Sequence, residues 1–163
     1  MCYNYFLRKG GVSTEIKEFV SSSAEETEKI GADLAEELEK RYPGKHHFVM
    51  LTGPLGAGKT ALIRGAASIL SPSSRVKSPS YTIVNEYRCG AAPLFHFDLY
   101  RLGENFDPES IGFYEYCDSG HCFIEWSEFF SGDAPENAVT VDISPRDNGE
   151  RLITVTYPEK VEK

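Results

Sequence analysis

The sequence HHFVMLTGPLGAGKTALIRG, residues 46–65, decides the fold. It begins with a short apolar run typical of a buried strand and ends in helix-forming residues. Between them, the residues from Gly53 to Thr60 fit G-x-x-x-x-G-K-[ST], the P-loop motif. Glycines let backbone N–H groups turn toward phosphate oxygens without Cβ clashes, and the following helix directs its positive end at the anion. Residues 46–65 therefore predict a strand, a phosphate-binding loop and a helix.

The positions that the motif constrains have predicted roles in binding a nucleotide. Lys59 is expected to reach the outer phosphates, and the Thr60 hydroxyl is expected to ligate Mg²⁺. The predicted nucleotide-binding residues are Gly53, Leu55, Gly56, Ala57, Gly58, Lys59, Thr60, Ala61, Thr82 and Trp126. The motif indicates the ligand class but not the activity, because kinases, GTPases and regulatory ATPases all carry it.

The rest of the chain alternates strands and helices. A strand in 11–23 precedes a helix in 23–42, which Ser22 or Ser23 caps together with Glu25 or Glu26. Further strands are predicted in VKSPSYTIVNEYRC, LFHFDLYRL and HCFIEW, a short helix in DPESIGFYEYC, and a final hairpin from AVTVDIS and RLITVTY. This order predicts a three-layer α/β fold of the P-loop NTPase type, with parallel core strands and a C-terminal antiparallel hairpin.

Composition excludes several classes of protein. The 163 residues suit one P-loop domain, 1–163, in which 1–10 and 158–163 are expected to be frayed. The sequence has neither an apolar run of bilayer length nor a signal peptide, which predicts a cytoplasmic protein with no membrane partner. The four cysteines do not form a metal-binding set and are expected to be free thiols. A net charge of −8 disfavours direct binding to a phosphate backbone.

Two acids follow apolar strands at positions where a P-loop protein needs carboxylates. Asp98 ends LFHFD and Glu125 ends HCFIE. The carboxyl ends of parallel strands form the usual ligand side of such sheets, so both acids are predicted as catalytic residues and, with Thr60, as Mg²⁺ ligands. Each could alternatively be a surface carboxylate.

Other candidates remain open on sequence grounds. The hydroxyls of SPSYT, residues 78–82, could sense a γ-phosphate, or the segment could be an ordinary loop before a strand. Trp126 could lie against the base or a partner, or fill the core, and it would point away from Glu125 if the strand continued. His96 is interpreted as a structural histidine, while His46 and His47 carry no clear signal.

The order of LTGPLGAGKTALIRG, VKSPSYTIVNEY, HFDLYRL, GFYEYC and FIEWSE resembles the bacterial TsaE family, also called YjeE. The resemblance runs from about Ser22 to the C-terminal hairpin. It implies an ATPase of tRNA threonylcarbamoyladenosine biosynthesis that uses ATP and Mg²⁺ and works with the proteins TsaD and TsaB. Transfer RNA would then be reached indirectly, through that complex.

The resemblance also implies roles for residues. Lys59 and Thr60 would hold phosphates and Mg²⁺, residues 78–82 would form a switch-like loop, and Asp98 and Glu125 would be the site acids. The sequence departs from the family pattern at Pro54, where Asp is common. Because proline has no backbone N–H, this position cannot donate a hydrogen bond to a phosphate.

A small-molecule kinase is the main alternative activity, although no arginine-rich lid is evident in the sequence. A GTPase is less favoured because the sequence lacks N-K-x-D, and an assembly module that only binds the nucleotide is also considered.

Overall fold

The computed structural model of the chain describes residues 2–9, 12–79, 82–103, 106–130, 132 and 134–158, with side chains from Thr14 onward. The α-helices are α1 (Ala24–Arg41), α2 (Lys59–Leu70) and α3 (Phe113–Ser119). The strands are β1 (Cys2–Lys9), β2 (Val12–Ser21), β3 (Phe48–Thr52), β4 (Val84–Tyr87), β5 (Leu94–Asp98), β6 (His121–Glu125), β7 (Val139–Pro145) and β8 (Arg151–Tyr157). Short 3₁₀ helices span Pro108–Ile111 and Ser127–Phe129.

The strands form an eight-stranded sheet in the order β1-β2-β8-β7-β3-β6-β5-β4. The four central strands run parallel to one another; they are β7, β3, β6 and β5. The remaining pairs, β1–β2, β2–β8, β7–β8 and β4–β5, are antiparallel. The predicted mixed sheet with a parallel core and a closing antiparallel hairpin is confirmed.

Helices cover both faces of this sheet, which gives the predicted three layers. On one face, Leu34 of α1 and Leu62 of α2 belong to the same buried cluster as Leu51 of β3. On the other face, Phe113 of α3 packs against Phe97 of β5, with ring centroids 5.0 Å apart. The alternation of side chains along each strand separates these two cores.

Helix α1 begins at the predicted cap and packs closely on α2. The Ser23 hydroxyl oxygen accepts the N–H of Glu26 at 3.1 Å, and a Glu26 carboxylate oxygen accepts the N–H of Ser22 at 2.7 Å. At Gly65 of α2, any Cβ would collide with the backbone carbonyl of Glu28 in α1. Glycine therefore allows the two helix backbones to approach, and this contact fixes α2 and the loop before it against the sheet.

Two local predictions differ from the structure. The helix expected in DPESIGFYEYC is divided, because Gly112 has a φ of 66° and separates the 3₁₀ helix Pro108–Ile111 from α3. Cys2–Lys9, expected within a frayed end, forms β1 and pairs with β2. Residues 1, 10 and 159–163, which belong to the segments expected to fray, lie outside the described residues.

Candidate active site

The glycine-rich loop lies between β3 and α2, as the motif predicts. Its glycines adopt positive φ angles: 137° at Gly53, 77° at Gly56 and 112° at Gly58. Side chains with a Cβ rarely adopt such angles, so these positions need glycine to make the turn. A Cβ at Gly53 would also lie 2.5 Å from the carbonyl oxygen of Ile143, which shows how tightly β7 supports the loop.

Lys59 lies inside this loop and is only 4% exposed. Its ammonium nitrogen Nζ donates to the carbonyl oxygens of Gly53 at 2.5 Å and Pro54 at 3.0 Å, and it lies 3.8 Å from the ring centroid of Trp126. Burial lowers the pKa of Lys59, while the nearby carboxylates, Glu125 first among them, act in the opposite direction. The Lys59 ammonium group is therefore largely shielded from water, inside the loop that is predicted to bind phosphate.

Asp98 and Glu125 lie side by side at the ends of neighbouring parallel strands. They are paired in the register of β5 with β6, so their side chains leave the same face of the sheet. Glu125 is 4% exposed, and its Oε1 atom accepts the Thr60 hydroxyl at 2.6 Å. This hydrogen bond joins the first turn of α2 to the end of β6, and so places a carboxylate directly behind the phosphate loop.

Asp98 is held by the segments on either side of its strand. Its Oδ1 atom accepts the N–H of Tyr100 at 3.1 Å, and its Oδ2 atom accepts the Ser78 hydroxyl at 3.4 Å. Ser78 therefore reaches the site acid from the predicted switch-like loop. The Thr82 hydroxyl instead donates to the side-chain oxygen of Asn85 at 2.9 Å, and Ser80 and Tyr81 of the same loop lie outside the described residues.

These side chains fit a magnesium–nucleotide ligand. Mg²⁺ prefers oxygen ligands, and Thr60, Asp98 and Glu125 supply a hydroxyl and two carboxylates around the start of α2. Phosphates suit the adjoining loop, whose backbone turns around the N-terminus of α2. The predicted ligand residues are thus brought together, although their roles stay predictions.

Comparison with known proteins connects this geometry to a family. The family model described as "Threonylcarbamoyl adenosine biosynthesis protein TsaE" matches residues 21–153. This chain belongs to the TsaE family. Members of this family are tRNA threonylcarbamoyladenosine biosynthesis proteins, and the resemblance seen in the motifs is confirmed.

Individual relatives agree with the TsaE assignment. A TsaE protein of Haemophilus influenzae is 39% identical over 125 residues, which cover 76% of this chain and 79% of the relative. A TsaE protein of Treponema pallidum is 36% identical over 137 residues, which cover 83% of this chain and 97% of the relative. The crystal structure of Bacillus subtilis YdiB has a TM-score of 0.70 and 27% sequence identity, and the match covers 90% of this chain and 88% of that one.

The described part of this TsaE-family chain contains no helix that is both long and apolar enough to span a membrane.

Trp126 takes a different position from the one that a continuing strand would give it. Strand β6 ends at Glu125, and Trp126 has a φ of 58°, which turns the chain into the 3₁₀ helix Ser127–Phe129. Its ring then faces Lys59 and lies 4.7 Å from the ring of Tyr100, between centroids. The tryptophan of this TsaE-family site therefore packs against the loop lysine.

The other predicted loop residues differ in their surroundings. Leu55 is 88% exposed at the tip of the loop, whereas Ala57 is buried beneath it. Ala61 lies half-buried in the first turn of α2, next to Thr60. The outer surface of the loop at Leu55 is thus open, and its inner side is fixed.

Two further side chains, one of them interpreted from the sequence as a structural histidine, lie at this TsaE site. Arg151, at the start of β8, has its guanidinium Nε atom 3.5 Å from the position of a Cβ on Gly58, so a cation lies beside the loop. His96 is completely buried, and its Nε2 atom lies 2.8 Å from Glu125 Oε1. A signal for His96 existed, since it stands two residues before Asp98 and thus shares its face of β5. Arg151 comes from the distant hairpin and gave no signal.

A second polar cluster lies at the opposite edge of the sheet, where β3 and β6 begin. His47 Nε2 lies 2.6 Å from Glu39 Oε1, and His121 Nδ1 accepts the backbone N–H of His47 at 3.1 Å. The two imidazole rings stack, with centroids 4.7 Å apart. Burial lowers the pKa of both histidines, that of His121 to about 4. These contacts involve His121 Nδ1 and His47 Nε2, whereas the buried His47 Nδ1 atom has no hydrogen-bond partner among the described residues.

Proposed function

We propose that this chain is a Mg²⁺-dependent ATPase that supports turnover of the TsaD–TsaB complex in tRNA threonylcarbamoyladenosine biosynthesis. The observation that carries the proposal is the 2.6 Å hydrogen bond from the Thr60 hydroxyl to Glu125 Oε1. It links the predicted magnesium ligand of the P-loop to a buried carboxylate at the ligand edge of the sheet. We further propose that residues 1–163 form one such domain, which acts in the cytoplasm.

Different groups of the chain would bind the phosphates and the Mg²⁺ ion. The backbone N–H groups of the loop and the Lys59 ammonium would hold the phosphates of ATP, and the Thr82 and Trp126 side chains would contribute to the nucleotide site. Thr60, Asp98 and Glu125 would hold Mg²⁺, which neutralises phosphate charge and so makes the terminal phosphorus easier to attack. Asp98 and Glu125 are also the groups available to orient the attacking water.

Weak hydrolysis by the protein alone would follow from the arrangement of Lys59. Its ammonium group donates to Gly53 and Pro54 of the loop and lies on the ring of Trp126. Phosphate oxygens have to replace these carbonyl acceptors before the lysine can stabilise the reaction. We propose that docking on TsaD–TsaB favours the rearranged loop and thereby raises turnover.

The charge of the chain supports an indirect relation to tRNA. A net charge of −8 repels a phosphate backbone, so the TsaD–TsaB complex would provide the contacts to tRNA. The small-molecule kinase alternative gains no support from a specific contact among the described residues.

Steady-state ATP hydrolysis tests this proposal. The purified protein is assayed with Mg²⁺ alone and then with TsaD–TsaB from the same organism, and the Lys59→Ala variant is assayed in parallel to detect contaminating ATPases. Slow turnover that rises when the partners are added is the expected result. Turnover that is already fast alone and indifferent to the partners would refute it and would direct attention to a phosphate acceptor.

A further inference from the structure

His96 is a buried polar residue directly behind the candidate metal site. It lies on β5, two residues before Asp98, and none of its surface is exposed. Its Nε2 atom lies 2.8 Å from Glu125 Oε1, whereas its Nδ1 atom has no hydrogen-bond partner among the residues that the structure describes. A histidine that only filled the core could be replaced by an apolar side chain, but this one contacts a site acid.

The hydrogen bonds at Glu125 define which group donates. Glu125 Oε1 is within hydrogen-bond distance of both Thr60 Oγ1, at 2.6 Å, and His96 Nε2, at 2.8 Å. An ionised carboxylate only accepts, so both partners donate to it. A proton on Nε2 serves this bond, while a proton on Nδ1 would be a buried donor with no acceptor in the described part of the chain. The geometry therefore favours the imidazole tautomer that carries its proton on Nε2.

This arrangement has a consequence for Thr60. The hydroxyl has one proton and two lone pairs, and its proton is directed to Glu125. The lone pairs are then left to ligate a cation. If Glu125 rotated away, the Thr60 hydroxyl would be free to turn, and its lone pairs would lose their fixed direction.

We propose that His96 is a positioning residue, which fixes the Glu125 carboxylate and, through it, the orientation of the Thr60 hydroxyl toward Mg²⁺. The inference rests on the proposed function, because it concerns the same metal site. It assigns to His96 no contact with the nucleotide itself. Residues that orient ligands in this way typically change metal affinity by about 10- to 100-fold when they are removed.

The test measures how strongly Mg²⁺ improves ATP binding, which does not depend on turnover. The dissociation constant of ATP is measured by calorimetry in excess Mg²⁺ and again in chelator, and the ratio of the two values is the Mg²⁺ effect. His96→Leu removes the donor with little change in volume, and we expect it to reduce this ratio about tenfold. The affinity in chelator should stay unchanged, because the loop and Lys59 are intact.

A second variant separates positioning from packing. His96→Gln retains an N–H donor at a similar distance from the backbone, so it should restore most of the Mg²⁺ effect. His121→Gln is the matched control, since His121 is also a buried histidine of the central strands but lies at the opposite edge of the sheet. It should leave the Mg²⁺ effect at the wild-type value. If His96→Leu does not fold, His96→Asn takes its place, because its shorter side chain does not reach Glu125. Comparison with His96→Gln then separates the loss of the donor from a change in packing.

The outcomes distinguish the two proposals. A wild-type protein whose ATP binding ignores Mg²⁺ would overturn the proposed function. A wild-type protein with a clear Mg²⁺ effect that His96→Leu, or His96→Asn in its place, retains in full would overturn only the positioning role of His96. Failure of His96→Gln to restore the effect lost in the apolar or shorter variant would overturn it as well.

Discussion

Replacing Lys59 by alanine should weaken ATP binding by about tenfold to 150-fold. A hydrogen bond to a charged group contributes about 1.5–3 kcal/mol, and every 1.4 kcal/mol corresponds to about tenfold in the dissociation constant. The structure favours a large effect, because Lys59 is only 4% exposed and loses little further water when it meets a phosphate. Part of the binding free energy from the phosphate contact is offset, because the hydrogen bonds of Lys59 to Gly53 and Pro54 have to break first.

Calorimetry with ATP and Mg²⁺ measures this change directly. Lys29→Ala is the matched control, because it removes the same charge from an exposed position on α1, where Lys29 forms an ion pair with Asp33 at 3.0 Å. We expect the control to bind ATP as the wild type does, since exposed pairs contribute little and are screened by salt. A far-UV circular dichroism spectrum shows whether each variant is folded.

A folded Lys59→Ala variant that binds ATP within about twofold of the wild type would show that Lys59 does not hold the phosphates. Such a result would mean that the ammonium group stays with the loop carbonyls and with Trp126 when ATP is bound. An equal loss in Lys29→Ala would indicate a general effect of net charge instead.

Other contacts of the site and of the core can be tested in the same way. Asp98→Asn should reduce Mg²⁺-dependent hydrolysis at least about tenfold while the melting temperature stays close to that of the wild type; an unfolded variant would show that Asp98 is structural. Gly65→Ala should lower the free energy of unfolding by about 1–3 kcal/mol, measured in urea, because its Cβ would collide with the Glu28 carbonyl of α1. The pKa of His121 is about 4 in the folded protein and 6.5 in the unfolded chain. Protonation of His121 therefore destabilises the folded state by up to about 3 kcal/mol as the pH falls from 6.5 toward 4, and the pH dependence of urea unfolding should be weaker in His121→Gln.

Most of the fold could be predicted because its signals are local. The glycine motif, the strand before it and the alternation in the closing hairpin each depend on a few neighbouring residues. The division of the helix around Gly112 could not be read in this way, since a glycine inside a helical pattern is tolerated in many proteins. Pairing of Cys2–Lys9 with β2 depends on sheet neighbours that only the fold reveals.

The parts of the site that lie at the carboxyl ends of parallel strands could be predicted from the sequence. Asp98 and Glu125 were expected together because parallel strands end at one edge, and the structure places them as register partners. The position of Arg151 beside Gly58 depends on the path of the C-terminal hairpin, which carries no local signal. The orientation of Trp126 depends on where the strand ends, and β6 ends at Glu125, one residue before it.

The two buried histidine groups show why burial alone does not identify a functional residue. At the start of the central strands, the His47 side chain lies within hydrogen-bond distance of Glu39, and His121 accepts the backbone N–H of His47 and stacks on its ring. Among the described residues, no hydrogen bond of these two side chains reaches the phosphate loop. At the other end, the hydrogen bond of His96 continues through Glu125 to Thr60, a residue of the phosphate loop. Loss of the first group should therefore affect stability, whereas loss of His96 should affect the response of the site to Mg²⁺. That contrast follows from the connections of each histidine and not from its burial, which is nearly complete in both groups.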